Sequence, residues 1–148
     1  MKTSKKGLDL IKKYEGFVSK PYLCPAGIPT IGYGATHYGD GKKVTLKDPS
    51  IDEEHASCLL NNMIISYENS VKLLVQKHIN QNQFDALVSF TYNLGAANLS
   101  KSTLLKKINA NPNDKSIKDE FLKWNKAGGK ELTGLTRRRN EEALLYFS

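Results

Sequence analysis

A glutamate that closes a helix is placed to handle a proton. Residues Ser4 to Glu15 carry a polar N-cap candidate, apolar Leu8, Ile11 and Tyr14 at helical spacing, and Gly16 as a stop, so Glu15 falls in the last turn of a short amphipathic helix. Unpaired carbonyls at that end present partial negative charge, which disfavours a carboxylate and favours the protonated form that a general acid needs. Position alone is also satisfied by a solvated helix-end glutamate. After it, Cys24 stands nine residues on and Thr30 fifteen residues on, the latter opening the run Thr30-Ile31-Gly32-Tyr33-Gly34.

Those three ordered positions, with Tyr14-Glu15-Gly16 before them and the Thr-Ile-Gly-Tyr-Gly strand after them, resemble the active-site segment of glycoside hydrolase family 24, the phage lysozymes or endolysins. Two later stretches extend the resemblance: Gln83 to Phe90 ending in Asn93-Leu94-Gly95, and Trp124 to Lys130 followed by Leu135 to Arg139. The family likeness implies an α+β, mainly helical fold, a small sheet-bearing lobe and a larger helical lobe joined by a long helix, with a sugar polymer lying between. It implies hydrolysis of the β-1,4 bond between N-acetylmuramic acid and N-acetylglucosamine in peptidoglycan, with Glu15 protonating the leaving oxygen as oxocarbenium-like charge grows on the sugar. The family often has an aspartate where this chain has Cys24. An unperturbed thiol has a pKa of about 8.5 and is mostly uncharged at neutral pH. Cys24 then has three candidate roles: orienting the attacking water with Thr30, which is the reading preferred, acting as a base, or remaining as a remnant of an aspartate site.

By the same resemblance Asn93 reaches substrate, and its amide suits an N-acetyl group; its alternative role is capping near Gly95. Trp124, the one tryptophan, could stack on a sugar ring or serve as core beside Phe121. Tyr33 and Gly34 are expected to line the floor beneath Glu15. The Arg137-Arg138-Arg139 run reads as a solvated helix start that could add attraction to a wall. Cys58 reads as a small apolar side chain near a buried helical stripe, with a Cys24–Cys58 bridge left open. His37 and His55 have no third ligand at a useful spacing, so no metal and no cofactor are expected.

The elements that must position these residues are legible as texture. Between Phe17 and Val44, Pro21, Pro25, Pro29 and five glycines from Gly27 to Gly41 break any helix, while Thr30-Ile31 and Tyr33 suit a strand and Asp40-Gly41 a hairpin turn. Ser50-Ile51-Asp52-Glu53 offers a capping box opening a long helix whose stripe is Ala56, Leu59, Met63, Tyr67, Val71 and Leu74. Asn80 to Gln83 repeats that logic before a helix ending near Gly95. Shorter helices are expected around Ser102 to Ile108, Ser116 to Lys126 and Arg137 to Phe147. The sheet-bearing lobe is thus expected at about 14–50, and the helical lobe at 1–13 and 51–148.

With 148 residues, one domain suffices. The net charge of +7, from 22 basic against 15 acidic residues, favours an anionic partner. No helix-turn-helix, zinc spacing or aromatic-basic RNA motif accompanies it, so nucleic acid is not expected. The N-terminal apolar residues are interrupted by lysines, so no signal peptide is expected, and no run approaches the roughly 18 apolar residues of a membrane span. A chain made in the host cytoplasm would then need a holin-type pore to reach the periplasmic wall, a partner implied by the resemblance. A monomer is expected. Two rivals stay open: a lytic transglycosylase, which uses one carboxylate and forms anhydromuropeptides, and a non-enzymatic cationic envelope binder.

Overall fold

The computed structural model describes residues 1–148. Its elements in order are α1 (Lys5–Glu15), β1 (Val18–Leu23), β2 (Pro29–Gly32), α2 (Glu53–Leu74), α3 (Gln81–Leu94), α4 (Ala96–Lys101), α5 (Thr103–Ala110), α6 (Ile117–Leu122), β3 (Lys126–Ala127), β4 (Lys130–Glu131) and α7 (Thr133–Tyr146). It is the mainly helical α+β architecture expected. The chain divides into two compact units, Glu15–Ile65 and the combination of Met1–Tyr14 with Ser66–Ser148. The expected boundary near residue 50 therefore moves into α2. Its first half, through Ala56 and Leu59, packs with the sheet-bearing segment, where Ile31, Ala35, Val44 and Leu59 form a buried cluster.

In that smaller unit, β1 and β2 pair antiparallel, and His37 pairs with Lys43 across the expected turn, where the Gly41 amide donates to the Tyr38 carbonyl at 2.9 Å. The loop beyond this turn is tied by Asp48. It accepts the Tyr38 hydroxyl at 2.7 Å, the Thr45 amide at 2.8 Å and the Thr45 hydroxyl at 2.7 Å. Burial and the Asp48 carboxylate push the Tyr38 phenol up to about 12, while the Thr45 hydroxyl and amide hold Asp48 below the usual carboxylate range. The cap of α2 corrects the sequence reading: the Asp52 carboxylate accepts the His55 amide at 2.8 Å, so the cap is Asp52, two residues beyond Ser50.

The larger unit is built on α3, whose residues Gln83 to Thr91 are all buried. Its capping box is the one expected, with Asn80 accepting from the Gln83 amide and Gln83 reaching back to the Asn80 amide. Phe90 of α3 lies edge-on to Phe121 of α6 and to Trp124, each at 5.8 Å between centroids, and Phe121 meets Tyr146 of α7 at 5.7 Å. Helix α7 starts at Thr133, four residues before the expected Arg137, and Lys126 to Glu131 form a tiny hairpin that the Gly128-Gly129 signal had marked only as a break.

The Arg137–Arg139 run is the largest correction. Arg138 and Arg139 are 3% and 0% exposed, and Glu142, one turn along α7, is 0% exposed. Its Oε1 lies 2.7 Å from Arg139 Nε and its Oε2 3.4 Å from Arg138 Nε, and the Ser89 hydroxyl donates to Oε2 at 2.5 Å. Burial opposes both kinds of charge, pushing Glu142 up and Arg139 down, and two guanidiniums around one carboxylate offset it. Arg137 stays exposed, as expected, whereas Arg138 and Arg139 turn inward, where the spacing i, i+3 and i+4 gives both the same acid.

Two carboxylates anchor the N-terminus. Glu68 accepts the Thr3 amide at 2.6 Å and hydroxyl at 2.7 Å, and Asp85, fully buried, accepts the Ser4 amide at 3.0 Å, the Ser4 hydroxyl, and the Gln81 side-chain amide at 2.8 Å. Ser4 is also the residue whose carbonyl opens α1, accepting the Leu8 amide at 3.0 Å. Asp85 thus fixes where α1 begins. Replacing Asp85 by Ala removes the acceptor of three hydrogen bonds at once, and urea unfolding should register a loss of about 3 kcal/mol. A loss below about 1 kcal/mol would show the tether to be dispensable.

Candidate active site

Glu15 is the last residue of α1, and Gly16 turns the chain at φ +74°, a conformation costly for any residue with a Cβ, before β1 begins at Val18. The register of β1 on β2 then decides what Glu15 meets. Val18 pairs with Gly32, Tyr22 with Thr30 and Leu23 with Pro29, the pairing shifting between Val18 and Tyr22 as a bulge. Directly paired residues of an antiparallel ladder share a face, and so do residues two apart along a strand. Tyr22, Cys24 and Thr30 therefore come together at the mouth of the hairpin, where the Cys24 amide donates to the Ile28 carbonyl at 3.0 Å and the Gly27 amide to the Cys24 carbonyl at 2.8 Å.

The electrostatics report the same grouping. Burial pushes the Tyr22 phenol up, and the charges of Glu15 and Cys24 push it further. The Cys24 thiol is held below its ordinary value chiefly by the Ile28 amide, with help from the Ala26 amide and the Thr30 hydroxyl, against a smaller opposing effect of burial. Neighbouring amides, not cations, thus favour its thiolate. Thr30 is 3% exposed, and its hydroxyl donates to the Ile28 carbonyl at 2.9 Å. A hydroxyl has one proton and two lone pairs, so a Thr30 proton committed to Ile28 leaves lone pairs that can accept from a water, and its turn toward Cys24 is an alternative use of that single proton.

Beneath this patch, Gly32 at φ +67° sits so close to α2 that a Cβ there would lie 3.1 Å from the Ala56 Cβ. Ile31 and Ala35 exchange both backbone hydrogen bonds, at 2.9 and 2.8 Å, closing a tight turn that contains Tyr33 and Gly34. Tyr33 is 6% exposed with its ring 5.8 Å from Phe17, which makes it part of the packing under the strand. Gly34, at φ +93°, is a turn residue.

Asn93 and Trp124 belong to the larger unit. Arg139 Nη2 donates to Asn93 Oδ1 at 2.9 Å, and Trp124 is half-buried against the edge of Phe90, which agrees with the reading of Trp124 as core. Cys24 and Cys58 are both free thiols, and Cys58 is exposed, which corrects its expected place near the buried stripe: Leu60 and Ile64 occupy that stripe instead. No three His, Cys, Asp or Glu side chains are arranged to hold a metal ion. No helix is long and apolar enough to cross a membrane.

Comparison with known proteins shows the family. The phage lysozyme family model matches residues 12–142. The chain belongs to the phage lysozyme family. An Endolysin of Bacillus phage B103 is 41% identical over the whole of this chain, which spans only 55% of that relative's length. Among solved structures, an Endolysin from Escherichia coli O157:H7 phage FAHEc1 superposes with a TM-score of 0.89 at 38% identity, covering 100% of this chain and 94% of that one. The muramidase domain of SpmX from Asticaccaulis excentricus superposes with a TM-score of 0.86 at 30% identity, covering 99% and 98%. The chain is an enzyme of the lysozyme class, with the lysozyme fold that these neighbours share.

Within this family member, Tyr22 is the neighbour of Cys24 and Thr30 that sequence reasoning missed. Its signal was available: it stands two residues before Cys24 and eight before Thr30, the spacing of one strand face and a short hairpin. The lowered thiol is open to a direct check. In a Cys58→Ser background, the rate of iodoacetamide alkylation at Cys24 should rise with a midpoint below about 8.5, and Thr30→Val should move that midpoint up. A midpoint at or above the free-cysteine value contradicts the amide cradle.

Proposed function

We propose that the chain hydrolyses the β-1,4 bond between N-acetylmuramic acid and N-acetylglucosamine in peptidoglycan, with Glu15 as general acid. The observation that carries this reading is the hairpin register, which sets Tyr22, Cys24 and Thr30 on one face, with the Tyr22 phenol also feeling the charge of Glu15. Glu15 gives its proton to the bridging oxygen as that bond breaks, and a water held by Thr30 and Cys24 adds its oxygen to the anomeric carbon. One of the water's protons stays on the new hydroxyl and the other leaves to solvent, from which Glu15 is reprotonated, so each cut consumes one water. The structural neighbour named as a muramidase domain supports the bond assigned.

On the same reading, Asn93 receives an N-acetyl group, Tyr33 and Gly34 support the floor under Glu15, and Trp124 contributes to substrate binding from the aromatic core. The net charge of +7 favours approach to an anionic wall. A single chain acting as a monomer suffices, and a holin-type pore as the route from the cytoplasm to the wall rests on the family likeness alone.

The amide-stabilised thiol favours a second role for Cys24, as a base that takes the water's proton. Cys24→Ser separates the two: a hydroxyl can still hold water, so positioning predicts measurable turnover, whereas a base predicts inactivity restored by Cys24→Asp.

Glu15→Gln keeps the shape and removes the acid. On purified, membrane-free peptidoglycan it should lose nearly all turnover while melting close to the parent temperature. Full retention of lysis would replace this proposal with a non-enzymatic cationic binder, and anhydromuropeptides as the main wild-type product would replace it with a lytic transglycosylase.

A further inference from the structure

The guanidinium of Arg139 joins α7 to α3. It is fully buried, its Nη1 has no partner in the protein, and the attraction of Glu142 is already shared with Arg138. Removing a guanidinium from water is costly, and an apolar side chain of similar volume on Phe90, whose ring centroid lies 5.1 Å from it, would avoid that cost. What an apolar side chain would not supply is Nη2, which donates both to Glu142 Oε2 at 3.1 Å and to Asn93 Oδ1 at 2.9 Å. An arginine can only donate, so the end of the Asn93 amide that meets it must be the oxygen. A side-chain amide left to itself can present either end, and this contact removes the choice.

We propose that Arg139 is a positioning residue that fixes which end of the Asn93 amide is offered to the glycan, so that the end of α3 recognises a hydrogen-bond acceptor, the carbonyl oxygen of an N-acetyl group. The lock has three parts. Glu142 holds the guanidinium plane, Phe90 supports its face, and Nη2 holds the amide oxygen, leaving the two N–H of Asn93 Nδ2 as the donors for substrate. Asn93 is half-buried at the last turn of α3, within reach of solvent, while Arg139 behind it is not. The inference rests on the muramidase reading above.

The test compares kcat/KM on glycan strands with that on the same strands after chemical de-N-acetylation. The wild-type chain should prefer the acetylated form. Asn93→Asp still accepts from Arg139 but offers no donor and attracts the ammonium of the de-acetylated sugar, so the preference should fall roughly three- to ten-fold, the worth of one hydrogen bond, while Tm holds or rises. Arg139→Lys keeps a positive charge for Glu142 but loses the fork, and should lower the preference by a similar factor, with the double variant falling no further. A purely structural Arg139 would lower both rates alike and leave the ratio unchanged, which overturns the proposal. Should Arg139→Lys fail to fold, Asn93→Asp decides alone, and an unchanged ratio there is equally fatal. A wild-type chain that cuts neither form would instead overturn the muramidase reading and this inference with it.

Discussion

The candidate site depends on the register of one short hairpin. β2 has only four residues, and β1 meets it through three residue pairs, yet that ladder decides whether Thr30 stands opposite Tyr22 and whether Cys24 falls on the same face. A slip of one residue would turn each of these side chains to the other face. Several local features hold the register: the bulge between Val18 and Tyr22, the hydrogen bonds that close Cys24 to Ile28, and the close approach of Gly32 to Ala56, which leaves little room for a side chain. Gly16 feeds the hairpin from the end of α1, so the same short stretch of chain carries Glu15 and the groups around it.

Carboxylates fix the frame elsewhere. Asp85 and Glu68 satisfy the amides and hydroxyls at the start of α1, and Glu142 neutralises the buried arginines of α7. In each case an acid inside the fold is surrounded by donors that would otherwise be stranded, which makes removal of one partner far more damaging than the net worth of the pair. Such networks favour one arrangement because a shifted packing would leave more of their polar atoms unpaired.

The parts of the molecule legible in the sequence were those written in local spacing. Glu15 at a helix end, the Asn80–Gln83 capping box and the broken texture from Pro21 to Gly41 arise from backbone requirements that a few neighbouring residues reveal. What remained hidden depended on partners distant in the chain. Arg138 and Arg139 read as solvent-facing because charged residues usually are; their burial required Ser89 and Asn93 of α3, and only Glu142 was visible nearby. Tyr22 was masked by the general preference of strands for aromatic residues. Ser50 and Asp52 are both competent caps within one short run, and the first turn of α2 selected the aspartate. Cys58 misled because Leu60 and Ile64 rotate the buried stripe away from it.

The central claim is that a proton from Glu15 releases a sugar whose place is taken by water. Digestion of purified peptidoglycan in water enriched in heavy oxygen tests it most directly. The account predicts muramic acid reducing ends that each carry one heavy oxygen atom, read by mass spectrometry of fragments trapped before exchange. Unlabelled fragments ending in an anhydro ring would contradict it.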